Sequence, residues 1–253
     1  MPQILQQATA ILENEKLRRN KFVEDLTDEM KAEFINGEVI IHSPLYYKHG
    51  IVNDNLFQLI QSHITKHQLG AILQQKFLCR FTRNDYEPDI SFWNSEKSKH
   101  FRIDQAIFPP PDFIVEILSK ATKNRDYTVK FEDYALHGVK EYWIIDSDPV
   151  LFFIEQYILK GKKFKLHKKL SEGFILSPTI KELSFPVEIL LDINATQEFL
   201  EEGTYLKGRE EGMKAEKITI AQKMLSLNID IEQITTITGL TRKEIIKIKN
   251  TQF

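Results

Sequence analysis

The stretch PDFIVEILSKAT, residues 111–122, decides the fold. Its segment FIVEIL, residues 113–118, is a short β-branched and apolar run of the kind that forms a strand covered on both faces. Residues 124–137 follow with helical character, with Asn124 or Asp126 as the N-cap and Gly138 as the stop. Residues 141–146, EYWIID, then repeat the buried-strand pattern. Upstream, AEFINGEVII at residues 32–41 contains Asn36-Gly37, a strong two-residue hairpin signal, and Pro44 ends the second strand. Residues 49–67 place apolar side chains at 52, 56, 59, 60 and 64, a helical spacing. Residues 71–81 and 87–93 read as strands, and 94–111 as an irregular, Pro-rich connection. Residues 150–168 read as a hairpin turned near Gly161. Strand and helix patterns alternate without repeats, which predicts a mixed α/β (α+β) fold with a central sheet and flanking helices.

Composition bounds the function. The chain has 253 residues, 34 Lys+Arg against 36 Asp+Glu, and 42% apolar residues. That mix suits a globular protein and excludes wholesale disorder and a uniformly basic, nucleic-acid-coating surface. A lone cysteine, Cys79, excludes a disulfide framework and a cysteine zinc site. No apolar run approaches the roughly 18 residues of a membrane span, and the first twenty residues lack a secretory core, so a cytoplasmic, non-membrane setting is expected. Residues 203–253 carry nine Lys/Arg against six acids and no Pro or Trp, whereas residues 1–202 carry a net −5. A boundary near 203 therefore separates a main domain, 1–202, from a helical tail, 203–253.

Two strands hold carboxylates. Asp89 lies in EPDISFW and Glu116 at the centre of FIVEIL. A buried carboxylate costs several kcal/mol unless paired or bound to metal, so each is either a structural acid with a basic partner or part of a site. If the strands are neighbours, the two acids form an oxygen-rich site suited to Mg²⁺ or Mn²⁺. Lys130 lies three residues after Tyr127 and four before Tyr134, on the apolar side of its helix, where it either snorkels to solvent or aims at the acids. Glu33 and Glu38 share one face of the Asn36-Gly37 hairpin, available to an acidic cluster or to solvent.

Residues EFINGEV (33–39), SP (43–44), His49, EPDISFW (87–93), PDFIVEILSKAT (111–122), Asp126, Lys130, Tyr134 and HGVKEYWIID (137–146) together resemble the PD-(D/E)XK nuclease superfamily. Within it they resemble the bacterial, restriction-endonuclease-like branch first catalogued as a domain of unknown function. The resemblance covers roughly residues 22–195. It implies a sheet-centred core with a divalent-metal phosphodiesterase site acting on DNA. Asp89 and Glu116 are implied as metal ligands with the Ile117 carbonyl, Glu38 as the upstream acid with Glu33 as the second candidate, and Lys130 as the catalytic lysine. Leu118 stands where the motif lysine would be, and in this branch that lysine is implied to have moved to the following helix, where Lys130 stands. Lys120 departs from a frequent proline. Lys120, Lys123 and Arg125 lie in the loop before that helix, as phosphate contacts or as solvated charge. Cutting both strands calls for two sites, which makes a homodimer one possible arrangement.

In the tail, residues 231–237 and 241–249 flank Gly239, with Thr241 as N-cap. This resembles a helix-turn-helix whose second helix carries Arg242, Lys243, Lys247 and Lys249, either to contact DNA or to serve as a packing module.

Overall fold

A computed structural model describes residues 2–27, 30–227 and 229–252. The side chains of residues 204–216 are not among those described, so Lys207, Arg209 and Lys214, counted in the tail's charge, lie outside the described side chains. The chain forms two compact units, Met1–Thr196 and Gln197–Phe253.

The first unit begins with helix α1 (Pro2–Asp25) and the hairpin β1 (Ala32–Ile35) and β2 (Glu38–Ile41). Asn36 and Gly37 have φ of 50° and 84°, the two left-handed positions that a twist-matched hairpin turn requires. Helix α2 (Tyr47–His67) leads to β3 (Gly70–Gln74), β4 (Leu78–Arg80), β5 (Asp85–Tyr86) and β6 (Ile90–Asn94). A short helix α3 (Ser95–Ser98) and β7 (Ile107–Phe108) precede the decisive strand β8 (Phe113–Ile117). Helices α4 (Lys123–Tyr127) and α5 (Val129–Leu136) connect it to β9 (Glu141–Asp146). Strands β10 (Phe153–Lys160), β11 (Lys163–Leu170), β12 (Phe174–Leu176) and β13 (Ser184–Pro186) and a 3-10 turn (Val187–Leu191) complete the unit.

A six-stranded sheet runs β11-β10-β9-β8-β6-β3, and a five-stranded sheet runs β2-β1-β5-β4-β7. Only β8–β9 in the first and β4–β7 in the second are parallel, so both sheets are mixed. The core packs around Trp93, Trp143, Phe113, Tyr134 and Tyr142, all fully buried. Gly70 pairs with Asn94 at φ +147°, and an added Cβ would lie 2.0 Å from the Trp93 carbonyl oxygen, so the sheet edge closes only over glycine.

Three expectations are corrected. The single strand expected over 71–81 is two strands in different sheets, because Gln75 and Lys76 both take φ near +50° (48° and 54°) and turn the chain. The strand expected over 87–93 begins only at Ile90, since residues 87–89 carry the chain from one sheet to the other. The helix expected over 124–137 breaks at Thr128 (φ −122°, ψ −96°), whose Oγ1 donates to the Asn124 carbonyl at 2.6 Å, a local bond that competes with regular helix. Neither Asn124 nor Asp126 caps it; the N-cap is Thr122, without a side-chain bond. Gly138 does stop α5, at φ +80°.

Helix α1 is fixed by its second half. Arg19 donates to both Asp85 oxygens (2.6 and 2.7 Å) and to the carbonyls of Phe81, Thr82 and Asn84 (2.7–2.9 Å). Phe22 stacks on Phe34 at 5.8 Å.

The second unit holds most of helix α6 (Ile193–Ser226), with α7 (Ile231–Thr238) and α8 (Arg242–Gln252). Ala221, Ile234, Leu240 and Ile245 form its core. Gly239 (φ +68°) closes α7, and Thr241 with Glu244 forms a reciprocal capping box that starts α8.

Candidate active site

The pocket forms where the chain crosses between the two sheets. Strand β6 pairs antiparallel with β8, Ile90 facing Val115. Continuing that register by one step sets Asp89 opposite Glu116, and side chains opposite each other on neighbouring strands share a face. Both acids are buried, at 5% exposure, and both line a cavity of ≈ 280 Å³ together with Lys31, His49, Glu87 and Lys130.

Lys130 is the hub. It is 1% exposed, and its Nζ lies 3.0 Å from Glu116 Oε1, 2.9 Å from Glu33 Oε1 and 3.5 Å from Asp126 Oδ1. Tyr134, one turn later on α5, donates to the same Glu116 Oε1 at 2.7 Å. The ring of Tyr86 sits 5.8 Å from the ammonium. The break at Thr128 leaves the eight-residue α5 presenting Lys130, Tyr134 and Ala135 inward. One ammonium thus faces three carboxylates and can fully neutralise only one.

The protonation pattern follows from that shortage. Burial works against the Glu33 charge, but Lys130 and His42 (Nε2 to Oε2, 3.1 Å) outweigh it and hold the carboxyl at about 2. Burial, with Asp126, Asp89 and Glu33 as like charges, pushes Glu116 well above its ordinary value despite Lys130. Burial likewise raises Asp126. Burial opposes the Lys130 charge too, yet the three acids raise its pKa well above the usual 10.5 and keep it an ammonium.

Asp89 has its own partners. Its Oδ2 accepts the Ile117 N–H at 2.8 Å, and its Oδ1 lies 3.3 Å from His49 Nε2 and 3.4 Å from Lys31 Nζ. Burial would raise this carboxyl, but His49, Lys31 and the Ile117 amide outweigh it and hold it well below the carboxylate range.

Asp89, Glu116 and Lys130, expected from the sequence, therefore converge. Glu38 does not. Its strand β2 is the outermost of the five-stranded sheet, and its side chain is exposed. Glu33, on the inner strand β1, is fully buried, and its Oε1 also accepts the Glu87 N–H at 3.0 Å. Of the two hairpin acids, Glu33 is thus the one that meets Lys130. Lys120 and Arg125 line the cavity, whereas Lys123 does not. Lys31 and His42 had no sequence signal, lying just outside the hairpin strands. His49 had one: it stands seven residues before Leu56, on the buried face of α2.

Glu87 is a further buried acid of the pocket. Its Oε2 has no hydrogen-bond donor among the described residues, and burial raises its carboxyl to about 7 in spite of Lys31. A carboxyl whose folded value lies above the unfolded 4.5 stabilises the fold at low pH and loses that contribution as pH rises toward 7. In EDTA, Glu87→Gln is therefore expected to be about 2–3 kcal/mol more stable relative to wild type at pH 8.5 than at pH 4.5. Equal differences at the two pH values, by thermal melting, would refute this.

Among the described residues, no three His, Cys, Asp or Glu side chains form a closed metal cage. The donor set fits a different kind of ion. Mg²⁺ and Mn²⁺ take hard oxygen donors, and Mg²⁺ is commonly held by one or two carboxylates while keeping several waters. Asp89 and Glu116 offer such a pair, in a pocket where burial, and then the like-charged neighbours, leave Glu116 pushed up despite one ammonium.

A mixed sheet carrying paired acids and a buried lysine at a strand junction is the architecture of the restriction-endonuclease-like superfamily. Residues 19–188, about two thirds of the sequence, match the family model described as "Uma2: Putative restriction endonuclease", and the chain belongs to that family. Residues 214–250 match the model described as "Rpn/YhgA-like nuclease family, C-terminal HTH domain". Among solved structures, the crystal structure of "a putative nuclease belonging to DUF820" from Anabaena variabilis ATCC 29413 is similar at a TM-score of 0.59 and 20% identity, covering 70% of this chain and 97% of that one. At that identity the likeness concerns the fold. A search of curated proteins found no match. No helix among the described residues is long and apolar enough to cross a membrane.

Proposed function

We propose that the chain is a divalent-metal-dependent endonuclease that hydrolyses DNA phosphodiester bonds. The observation that carries this reading is the convergence of Asp89 and Glu116 on one pocket with Lys130 held 3.0 Å from Glu116. Asp89 and Glu116 are the residues that would hold Mg²⁺ or Mn²⁺. When bound, such an ion acidifies water and offsets phosphate charge.

The chain's own residues supply the rest. Lys130 remains cationic and donates to phosphoryl oxygens as charge grows on them. Glu33 and Tyr134 hold that ammonium and its acid partner in register, one through Lys130 Nζ and the other through Glu116 Oε1. The Ile117 amide fixes the Asp89 carboxylate. Lys120 and Arg125 in the cavity lining offset the repulsion between an acidic pocket and a polyanion. The helix-turn-helix of the second unit supports DNA as the substrate, because Arg242, Lys243, Lys247 and Lys249 are exposed on α8, the helix that would enter a groove.

The test is incubation of purified protein with supercoiled plasmid. Cleavage is expected with Mg²⁺ or Mn²⁺ and none with EDTA. A monomer gives nicked circles, whereas the homodimer expected for double-strand cutting gives linear product. Cleavage that survives EDTA, or the absence of cleavage with every divalent ion, would sink the proposal and leave a nuclease fold used only for binding.

A further inference from the structure

The six-stranded sheet ends at β11, and its outer edge carries no further strand among the described residues. Residues 160–169, KGKKFKLHKK, hold six lysines and no acid in a chain whose net charge is −2. All six lysines are exposed. Only Lys169 is paired among the described residues, with Glu155 at 2.7 Å.

The register sorts the others onto one face. Lys160 pairs with Lys163, Ile158 with Lys165 and Gln156 with Lys168. Cross-strand partners share a face, and so do alternate residues of β10. Lys160, Lys163, Lys165 and Lys168 therefore stand on the same side. Simple alternation would have thrown Lys168 to the other face, but the register shift between Gln156 and Tyr157, which leaves His167 unpaired, restores it. The acid of β9 on this face, Glu141, is fully buried and occupied by Trp143, Gln156, Ser177 and Thr179.

Lysines on a sheet edge discourage aggregation, and for that purpose their face is immaterial. Here Lys160 and Lys163 are set directly opposite each other, a like-charge pair that destabilises a free hairpin. A bulge maintains the alignment over about 17 Å of strand. We propose that this face of the β10–β11 hairpin binds the phosphate backbone of duplex DNA as a second contact surface. The registers Glu116–Ile144, Ile144–Glu155 and Glu155–Lys169 put Lys169 on the same face as the pocket acid, about 14 Å away across three strand spacings, and the four-lysine face on the other side of the sheet. At that level Lys168 and Lys169, on opposite faces, straddle the edge. The proposal rests on the nuclease reading above and adds a duplex contact beyond the sheet edge, on the face away from the pocket acid.

The test uses the full chain with Asp89→Ala, so that bound DNA stays intact, in EDTA. Anisotropy of a labelled duplex of about 30 base pairs is followed from about 50 to 300 mM KCl, with and without Lys160→Gln, Lys163→Gln, Lys165→Gln and Lys168→Gln together. Removing one lysine–phosphate interaction lowers the slope of log affinity against log salt by roughly 0.9, so a fall of at least about 2 is expected, with affinity at least about tenfold weaker near 100 mM. If the quadruple variant fails to fold by circular dichroism, Lys165→Gln alone should lower the slope by about 1. A duplex bound with unchanged slope overturns the inference while leaving the nuclease reading intact. A binding defect confined to phosphatidylserine vesicles also overturns it. If the reference protein binds no duplex and wild type cleaves none, both fall.

Discussion

Lys130→Met is expected to abolish plasmid cleavage and to lower folding stability by about 3–5 kcal/mol, the usual cost of removing one partner from a buried ionic cluster. The substitution keeps the apolar stem and deletes only the ammonium, so Glu33, Glu116 and Asp126 lose their common cation. The deficit depends on pH in a defined direction. Glu33 titrates at about 2 in the fold against 4.5 ordinarily, so its contribution is present above 4.5 and lost as pH falls toward 2. Without Lys130 that depression weakens, and the three acids are accommodated only by taking up protons. The variant should therefore lie closest to wild type near pH 4 and furthest below it near pH 8. The Lys130 contribution in wild type is fully present below 10.5 and is lost only as pH rises from there through its raised folded value, so no recovery occurs at pH 8. Melting in EDTA at several pH values measures this, with Glu38→Gln beside it as a surface substitution within about 0.5 kcal/mol of wild type. A Lys130→Met protein of wild-type stability would mean that the ammonium does not hold the cluster together.

Asp89→Asn is expected to lose cleavage by at least about 10³-fold, the several kcal/mol that a metal ligand commands in phosphoryl chemistry. Its structural effect should be smaller. The asparagine oxygen can still accept the Ile117 N–H, while its amide replaces the carboxylate oxygen that faces His49 Nε2 and the Lys31 ammonium. Wild-type Asp89 contributes stability above its ordinary 3.8, lost as pH falls toward its depressed folded value, and the variant lacks this acid limb. Calorimetry with Mn²⁺ provides a readout independent of turnover: binding should weaken along with cleavage. A variant that cuts normally would remove Asp89 from the chemistry.

Much of this site was legible in the sequence because burial leaves a periodic trace. Glu116 is visible as the one charge inside FIVEIL, and Lys130 as a cation on the apolar side of its helix. The choice between Glu33 and Glu38 was not legible, since both share a hairpin face; strand order decides it, and order is a long-range property. The division of residues 71–81 was hidden for another reason. Gln75 and Lys76 adopt left-handed backbone with no Gly, Pro or Asn to announce it. Lys31 and His42 enter the pocket from irregular backbone, where no period applies.

The Arg19 clamp has a practical corollary for recombining this protein with its relatives. The segment it grips, residues 81–85, leads directly into Glu87 and Asp89, so this corner of the pocket is braced by a helix that precedes it by more than sixty positions, 66 between Arg19 and Asp85. A chimera joined between that helix and the first hairpin would import the pocket acids without their buttress. The usable crossover lies upstream of Glu15, whose carboxylate also ties down Arg83.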